Sequence, residues 1–171
     1  SGDFAVGGLV GCIEGIHGVV CNSETALNVF AIKNSASGIV TGGLVGWLNA
    51  GELHSSMSMA TITTYDENEG AVGGMVGKAT GGKVTNAFVN AIFRLDASGP
   101  QTGGLLGTNA GATVTNCYVN WHDCTPSNTN FKSIVNSVVG TTGSFDYCYA
   151  KPNVTTGSDS LPMLPTGVSY S

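Results

Sequence analysis

Charge is what this chain has least of. Asp, Glu, Lys and Arg make up 10% of its 171 residues, against roughly a quarter in an ordinary globular domain. So few charges argue against a helical bundle with solvated outer faces, and no stretch reads as a long amphipathic helix. The six basic residues are scattered among 11 acidic ones, for a net charge of −5. Neutralising phosphates takes a clustered basic surface, so the balance argues against a nucleic-acid partner. No apolar run approaches the ~18 residues of a membrane span. Ser1 and the residues after it carry no basic, apolar and small-residue succession, so a targeting segment is expected to have been removed or to lie outside this chain. Neither H-E-x-x-H nor C-x-x-C occurs, so the zinc-protease helix and the thioredoxin-type redox motif are not encoded.

Glycine, by contrast, is abundant, at 26 residues, about twice its usual share. Much of it recurs in one pattern: Gly7-Gly-Leu-Val-Gly11, Gly42-Gly-Leu-Val-Gly46, Gly73-Gly-Met-Val-Gly77, Gly103-Gly-Leu-Leu-Gly107 and a worn Asn136-Ser-Val-Val-Gly140. The closing glycines stand 35, 31, 30 and 33 residues apart, a period that marks solenoids and arrays. A second block follows, in which Lys83-Val-Thr-Asn-Ala-Phe-Val-Asn90 matches Thr113-Val-Thr-Asn-Cys-Tyr-Val-Asn120, with looser copies at 52–59 and 144–151. Its columns are Leu53, Val84, Val114, Phe145; Ser56, Ala87, Cys117, Cys148; Met57, Phe88, Tyr118, Tyr149; and Ser58, Val89, Val119, Ala150.

Apolar runs of four to seven residues, rich in Val, Phe, Tyr and Thr and bounded by Gly or Asn, read as strands. A unit of about 30 residues with two or three short strands cannot bury its own apolar face, so copies must stack and share a core. The expected fold is all-β: a right-handed parallel β-helix of about 4–5 coils over residues 1–150. Residues 151–171, with Pro152, Pro162 and Pro165, are expected to form a cap or linker. An antiparallel sandwich also explains the composition, but not register-matched columns. The glycines are expected where a side chain is forbidden, at φ > 0 corners or where coils approach closely.

The pentapeptides Gly42 to Gly46 and Gly103 to Gly107, followed by Gly111 to Tyr118, resemble the GLUG repeat, and the resemblance covers roughly residues 7–150. It implies an extracellular, usually bacterial, surface protein, because such repeats occur in adhesin-like proteins and beside the catalytic region of IgA-specific metalloproteases; nothing in the repeat itself is catalytic. The first copy departs from the pattern through an apparent insertion from Cys12 to Glu24. The fifth lacks the Gly-Gly pair, as terminal coils needing caps would.

Several groups invite a chemical reading. Gly77 to Lys83 fits G-x-x-x-x-G-K, but Val84 stands where the Mg²⁺-binding hydroxyl belongs and a strand follows, so a repeat corner is expected. Cys117, His122, Asp123 and Cys124 lie close enough for a metal or nucleophilic site, yet Cys117 falls in a column of small inward fillers. Cys117 and Cys148 on adjacent coils are close enough for a disulfide, and side-chain direction decides whether they stack or bond. Cys12 and Cys21 are a second candidate pair. Asp66, Glu67 and Glu69 could hold Ca²⁺ but lack a calcium-loop spacing, and a solvated loop is expected. Thr85, Thr115, Thr61 and Thr63 are expected to form a short threonine ladder. Asn153-Val-Thr155 is a lone glycosylation sequon. His17, His54 and His122 are far apart. No catalytic, cofactor or metal residue is assigned.

The function expected is a non-enzymatic structural or adhesion module at a bacterial cell surface. It would belong to a larger protein with flanking domains and touch a host or matrix protein or glycan through a lateral face. The alternatives are a polysaccharide-processing β-helix, whose acids would converge on one face, and an exosite or spacer of a secreted protease.

Overall fold

A computed structural model describes residues 4–31, 38–64, 70–94, 101–122, 131–132, 135–138 and 144–150. Every described element is a strand, and every pairing is parallel. Each of the first three turns lays one strand into each of five sheets in order, and the later turns repeat that order in the first four. The first sheet holds Phe4–Gly7, Ile39–Gly42, Ala71–Gly73, Gln101–Gly103 and Phe131–Lys132. The second holds Val10–Ile13, Val45–Leu48, Val76–Ala79, Leu106–Asn109 and Val135–Val138. The third holds Val19–Cys21, Glu52–His54, Lys83–Thr85, Thr113–Thr115 and Ser144–Asp146, and the fourth Glu24–Thr25, Met57–Ser58, Phe88–Val89, Tyr118–Val119 and Tyr149–Ala150. The fifth holds Asn28–Ala31, Thr61–Thr64 and Ile92–Arg94, extended by an isolated bridge from Ile92 to His122. The architecture is a parallel β-solenoid. Three turns are complete in all five sheets, fewer than the 4–5 coils expected; the two that follow carry four described strands each.

Stacking buries what no single turn could. Leu44, Met75 and Leu105 repeat one position and are fully buried, as are Leu53, Val84 and Val114 in the next inward column, with Phe145 above them. Each such side chain contributes about 1.5–3 kcal/mol by leaving water. Where Asn109 enters the column of Leu48 and Ala79, its amide is satisfied locally: Oδ1 accepts from Gly111 N at 3.1 Å and Ala112 N at 2.8 Å, and Nδ2 donates to Ala112 O at 3.0 Å. A buried polar group is tolerated when its bonds are made.

The glycine motif forms the bend from the first sheet to the second. Leu44 N and Val45 N both donate to Met75 O, and Met75 N and Val76 N repeat this onto Leu105 O, at 3.0–3.1 Å. A Cβ on Gly42 would overlap the carbonyl oxygen of Val45, and one on Gly77 would lie 2.6 Å from Thr41 N in the turn before. The motif glycines thus serve close approach, not left-handed backbone. Left-handed glycine is needed at the next corner, at Gly51 and Gly82 (φ 80° and 81°).

Three expectations are corrected here. Cys12 to Glu24 is not an insertion, since it contains strands paired with Val45–Leu48, Glu52–His54 and Met57–Ser58; the surplus is two residues between Ile13 and Val19. Asn136, not Gly140, stands level with Gly107, because Leu106 pairs with Val135 and Thr108 with Ser137. The four threonines form no common ladder. Thr85 and Thr115 pair in the third sheet between His54 and Asp146, whereas Thr61 and Thr63 lie in the fifth beside Ile92 and Arg94.

Candidate binding face

The outer side of the fourth sheet carries the column Glu24, Met57, Phe88, Tyr118, Tyr149. Strand pairing brings equivalent residues to about the 4.8 Å spacing of parallel strands, and aromatic rings at that spacing stack. The Phe88 and Tyr118 rings are 5.7 Å apart and inclined by 13°. Tyr118 is 44% exposed and Tyr149 60%, so the stripe opens to solvent toward the later turns.

Amide ladders flank it on both sides. On one side lies the corner between the third and fourth sheets, formed in every turn by a residue in left-handed conformation: Asn22, Ser55, Asn86, Asn116 and Tyr147, with φ between 48° and 54°. Asn suits this conformation better than most residues, and the repetition aligns the side chains so that Asn116 Nδ2 donates to Asn86 Oδ1 at 2.6 Å. On the other side, Asn120 Nδ2 donates to Asn90 Oδ1 at 2.8 Å. His122 Nε2 lies 3.0 Å from the same Oδ1 and 3.2 Å from Asn120 Nδ2, and with its proton on Nε2 it donates to Asn90. Uncharged amides and phenols beside aromatic carbon can offer apolar contact and hydrogen bonds together.

The other singled-out groups resolve as follows. Lys83 opens a strand and pairs with Glu52 at 3.1 Å, while Lys78 lies over the Trp47 ring at 5.2 Å, so Gly77 to Lys83 is a repeat corner. Cys117 is buried beneath the face and His122 is exposed on it, so these two do not converge; Asp123 and Cys124 lie outside the described residues. Cys12 pairs with Trp47 in the second sheet and Cys21 with His54 in the third, and both thiols are free. His17 lies in the turn between Val10–Ile13 and Val19–Cys21, whereas His54 ends a strand of the third sheet beside Cys21 and Thr85. Among the described residues, no three His, Cys, Asp or Glu gather to hold a metal ion, and no helix is long and apolar enough to cross a membrane. Asp66, Glu67 and Glu69, the sequon at Asn153, and residues 151–171 lie outside the described residues.

Sequence reasoning missed the two amide ladders, although their members stand in the repeated block: Asn86 and Asn116 directly after Val-Thr, Asn90 and Asn120 at its end. The readable signal was the left-handed preference of Asn, recurring at the strand period.

The fold and this face define a parallel β-solenoid repeat protein with an aromatic stripe between amide ladders. No protein-family model, curated protein or solved structure matches the chain.

Proposed function

We propose that this chain is a non-enzymatic, extracellular adhesion module of a larger bacterial surface protein, and that the fourth-sheet face is its contact surface. The observation that carries this reading is the stripe of half-buried Phe88 and exposed Tyr118 and Tyr149 between the Asn86–Asn116 and Asn90–Asn120 ladders. Aromatic rings on rigid backbone give contact area at low entropic cost, and a solenoid holds them without loop ordering. The resemblance of the glycine pentapeptides to the GLUG repeat supports the surface location.

The test is a screen of glycans and matrix proteins with the wild-type chain and a Tyr118→Ala/Tyr149→Ala variant. Binding lost in the variant while thermal unfolding stays unchanged is the expected result. Binding to none of the probes would leave a spacer between flanking domains, and cleavage of an arrayed glycan would assign the chain to polysaccharide processing.

A further inference from the structure

Beneath the binding face runs an inward column of small residues, Ser23, Ser56, Ala87, Cys117 and Cys148, one per turn, whose last two members are thiols. Backbone bonds fix their alignment, with Tyr118 N donating to Ala87 O and Tyr149 N to Cys117 O, both at 2.9 Å. Both thiols are almost fully buried, at 2% and 1% exposure, and both are free.

Their direction is the informative feature. Cys117 Sγ lies 3.3 Å from Thr115 O in its own turn and 3.8 Å from Val84 O in the turn before. Cys148 Sγ repeats the pose one turn on, 3.4 Å from Asp146 O and 3.7 Å from Val114 O. Each sulfur therefore leans back across the gap between turns, and the Cys148 sulfur leans onto the turn that holds Cys117. The two thiols are neighbours in the column, and each shifts the ionisation of the other. The neighbouring thiol, together with burial, pushes Cys117 up, while Cys117 in turn holds Cys148 down.

We infer that Cys117 and Cys148 are a dithiol site that a small disulfide such as oxidised glutathione converts to a disulfide, stapling the last two described turns. The Cys148 thiolate attacks one glutathione sulfur; the glutathione S–S bond breaks, a mixed disulfide forms and one glutathione leaves as thiolate. Cys117 then gives up its proton and attacks the Cys148 sulfur, and the second glutathione leaves. Two protein thiols are oxidised, one glutathione disulfide is reduced to two thiols, and the two protein protons end on them. Adjacent parallel strands place the Cα atoms within the range a disulfide spans. Access comes through the later end of the described stack: among the described residues, Ser144–Asp146 and Tyr149–Ala150 are paired on one side only, and such edge elements open locally before the rest. Asparagine-flanked Cys117 and tyrosine-flanked Cys148 thus form a site distinct from the outer face, independent of the adhesion reading.

The test uses the full chain with Cys12→Ser, Cys21→Ser and Cys124→Ser, leaving only this pair, incubated with oxidised glutathione in native buffer. Intact mass should fall by about 2 Da as two thiols become one disulfide. Trypsin cuts at Lys132, between the two cysteines, and should release joined peptides. Thermal unfolding of the oxidised form should rise by about 5–10 °C, and Cys148→Ser should abolish both effects. Two thiols surviving oxidation would overturn the inference, as would a disulfide that lowers the unfolding temperature. If the triple variant does not fold, the wild-type chain is oxidised and mapped directly; a Cys117 link to Cys124 in place of Cys148 would overturn it equally.

Discussion

Gly107 faces the backbone of Val72 one turn earlier: a Cβ at Gly107 would lie 2.7 Å from Val72 N, 2.8 Å from Val72 O and 2.5 Å from Gly77 O. All three obstacles are main-chain atoms held in sheets, so none can swing aside. Gly107→Val is therefore expected to destabilise the chain by about 3 kcal/mol or more. Thr108→Val, at a half-buried neighbouring position, is expected to change stability by less than about 1 kcal/mol. Urea unfolding of the two variants checks the difference, and similar midpoints would contradict the close approach.

Tyr147 holds the left-handed corner that Asn86 and Asn116 hold in earlier turns, at φ 53°. A bulky residue there is strained by roughly 1 kcal/mol, and Asn is not. Tyr147 is also 68% exposed, so little packing is lost on replacing it. Tyr147→Asn is expected to raise the unfolding temperature by a few degrees, whereas Asn116→Val should lower it. If Tyr147→Asn is the less stable protein, the phenol makes a contact that outweighs the strain.

These corners also show what was legible in the sequence. The columns through Leu53 and Met57 could be read because the third and fourth sheets keep offsets of 31, 30 and 31 residues from Glu52 onward. The end turns could not, because solenoid register is set by strand pairing while the chain between sheets absorbs extra residues. Leu106 pairs 29 residues on with Val135, yet Thr113 pairs 31 on with Ser144; matching Gly107 to Gly140 slipped past that joint by four residues. The first turn shifts at the same joint, from 35 at Ile13–Leu48 to 33 at Val19–Glu52, and this read as an insertion. The threonines misled for another reason: Thr61 and Thr85 both sit in β-branched runs, and composition does not reveal which sheet a run joins. The binding face was half legible, its aromatic column by spacing, its amide ladders hidden in residues that usually mark turns.

Lys83 and Glu52 form a 3.1 Å ion pair with side chains 61% and 44% exposed. Water and salt screen such a pair, and its expected worth is below about 1 kcal/mol. Lys83→Met should leave the unfolding midpoint nearly unchanged in 0.5 M salt. A large loss there would mean that the lysine stem, packed along the sheet, matters more than its charge.

The Cys12 thiol is pushed up by burial and by the Glu14 carboxylate, whose Oε1 lies 3.9 Å from the sulfur. A raised thiol is less ionised near neutral pH, and the thiolate is the reacting form. Removing the negative charge lowers that pKa, so Glu14→Gln should speed alkylation of Cys12 by iodoacetamide at pH 8 by about two- to fivefold. Quantitative peptide mapping reads the rate at Cys12 alone. An unchanged rate would show that burial controls the thiol without help from Glu14.

Leu9 and Leu44 occupy the same position of the glycine motif, yet Leu9 is 53% exposed and Leu44 is fully buried. The difference follows from stacking. Leu44 has turns on both sides, whereas among the described residues the strand holding Val10 is at the end of its sheet, so Leu9 has a described turn on one side only. Truncating a core leucine costs its transfer free energy plus the cavity it leaves, about 3–5 kcal/mol. Truncating one that solvent already reaches leaves no closed cavity and costs about 1 kcal/mol or less. Leu44→Ala should therefore lower the urea midpoint several times more than Leu9→Ala does. Equal losses would mean that something covers the first turn in solution, and the same two variants at rising protein concentration would show whether that cover is a second copy of the chain, because only then would the Leu9→Ala effect grow with concentration.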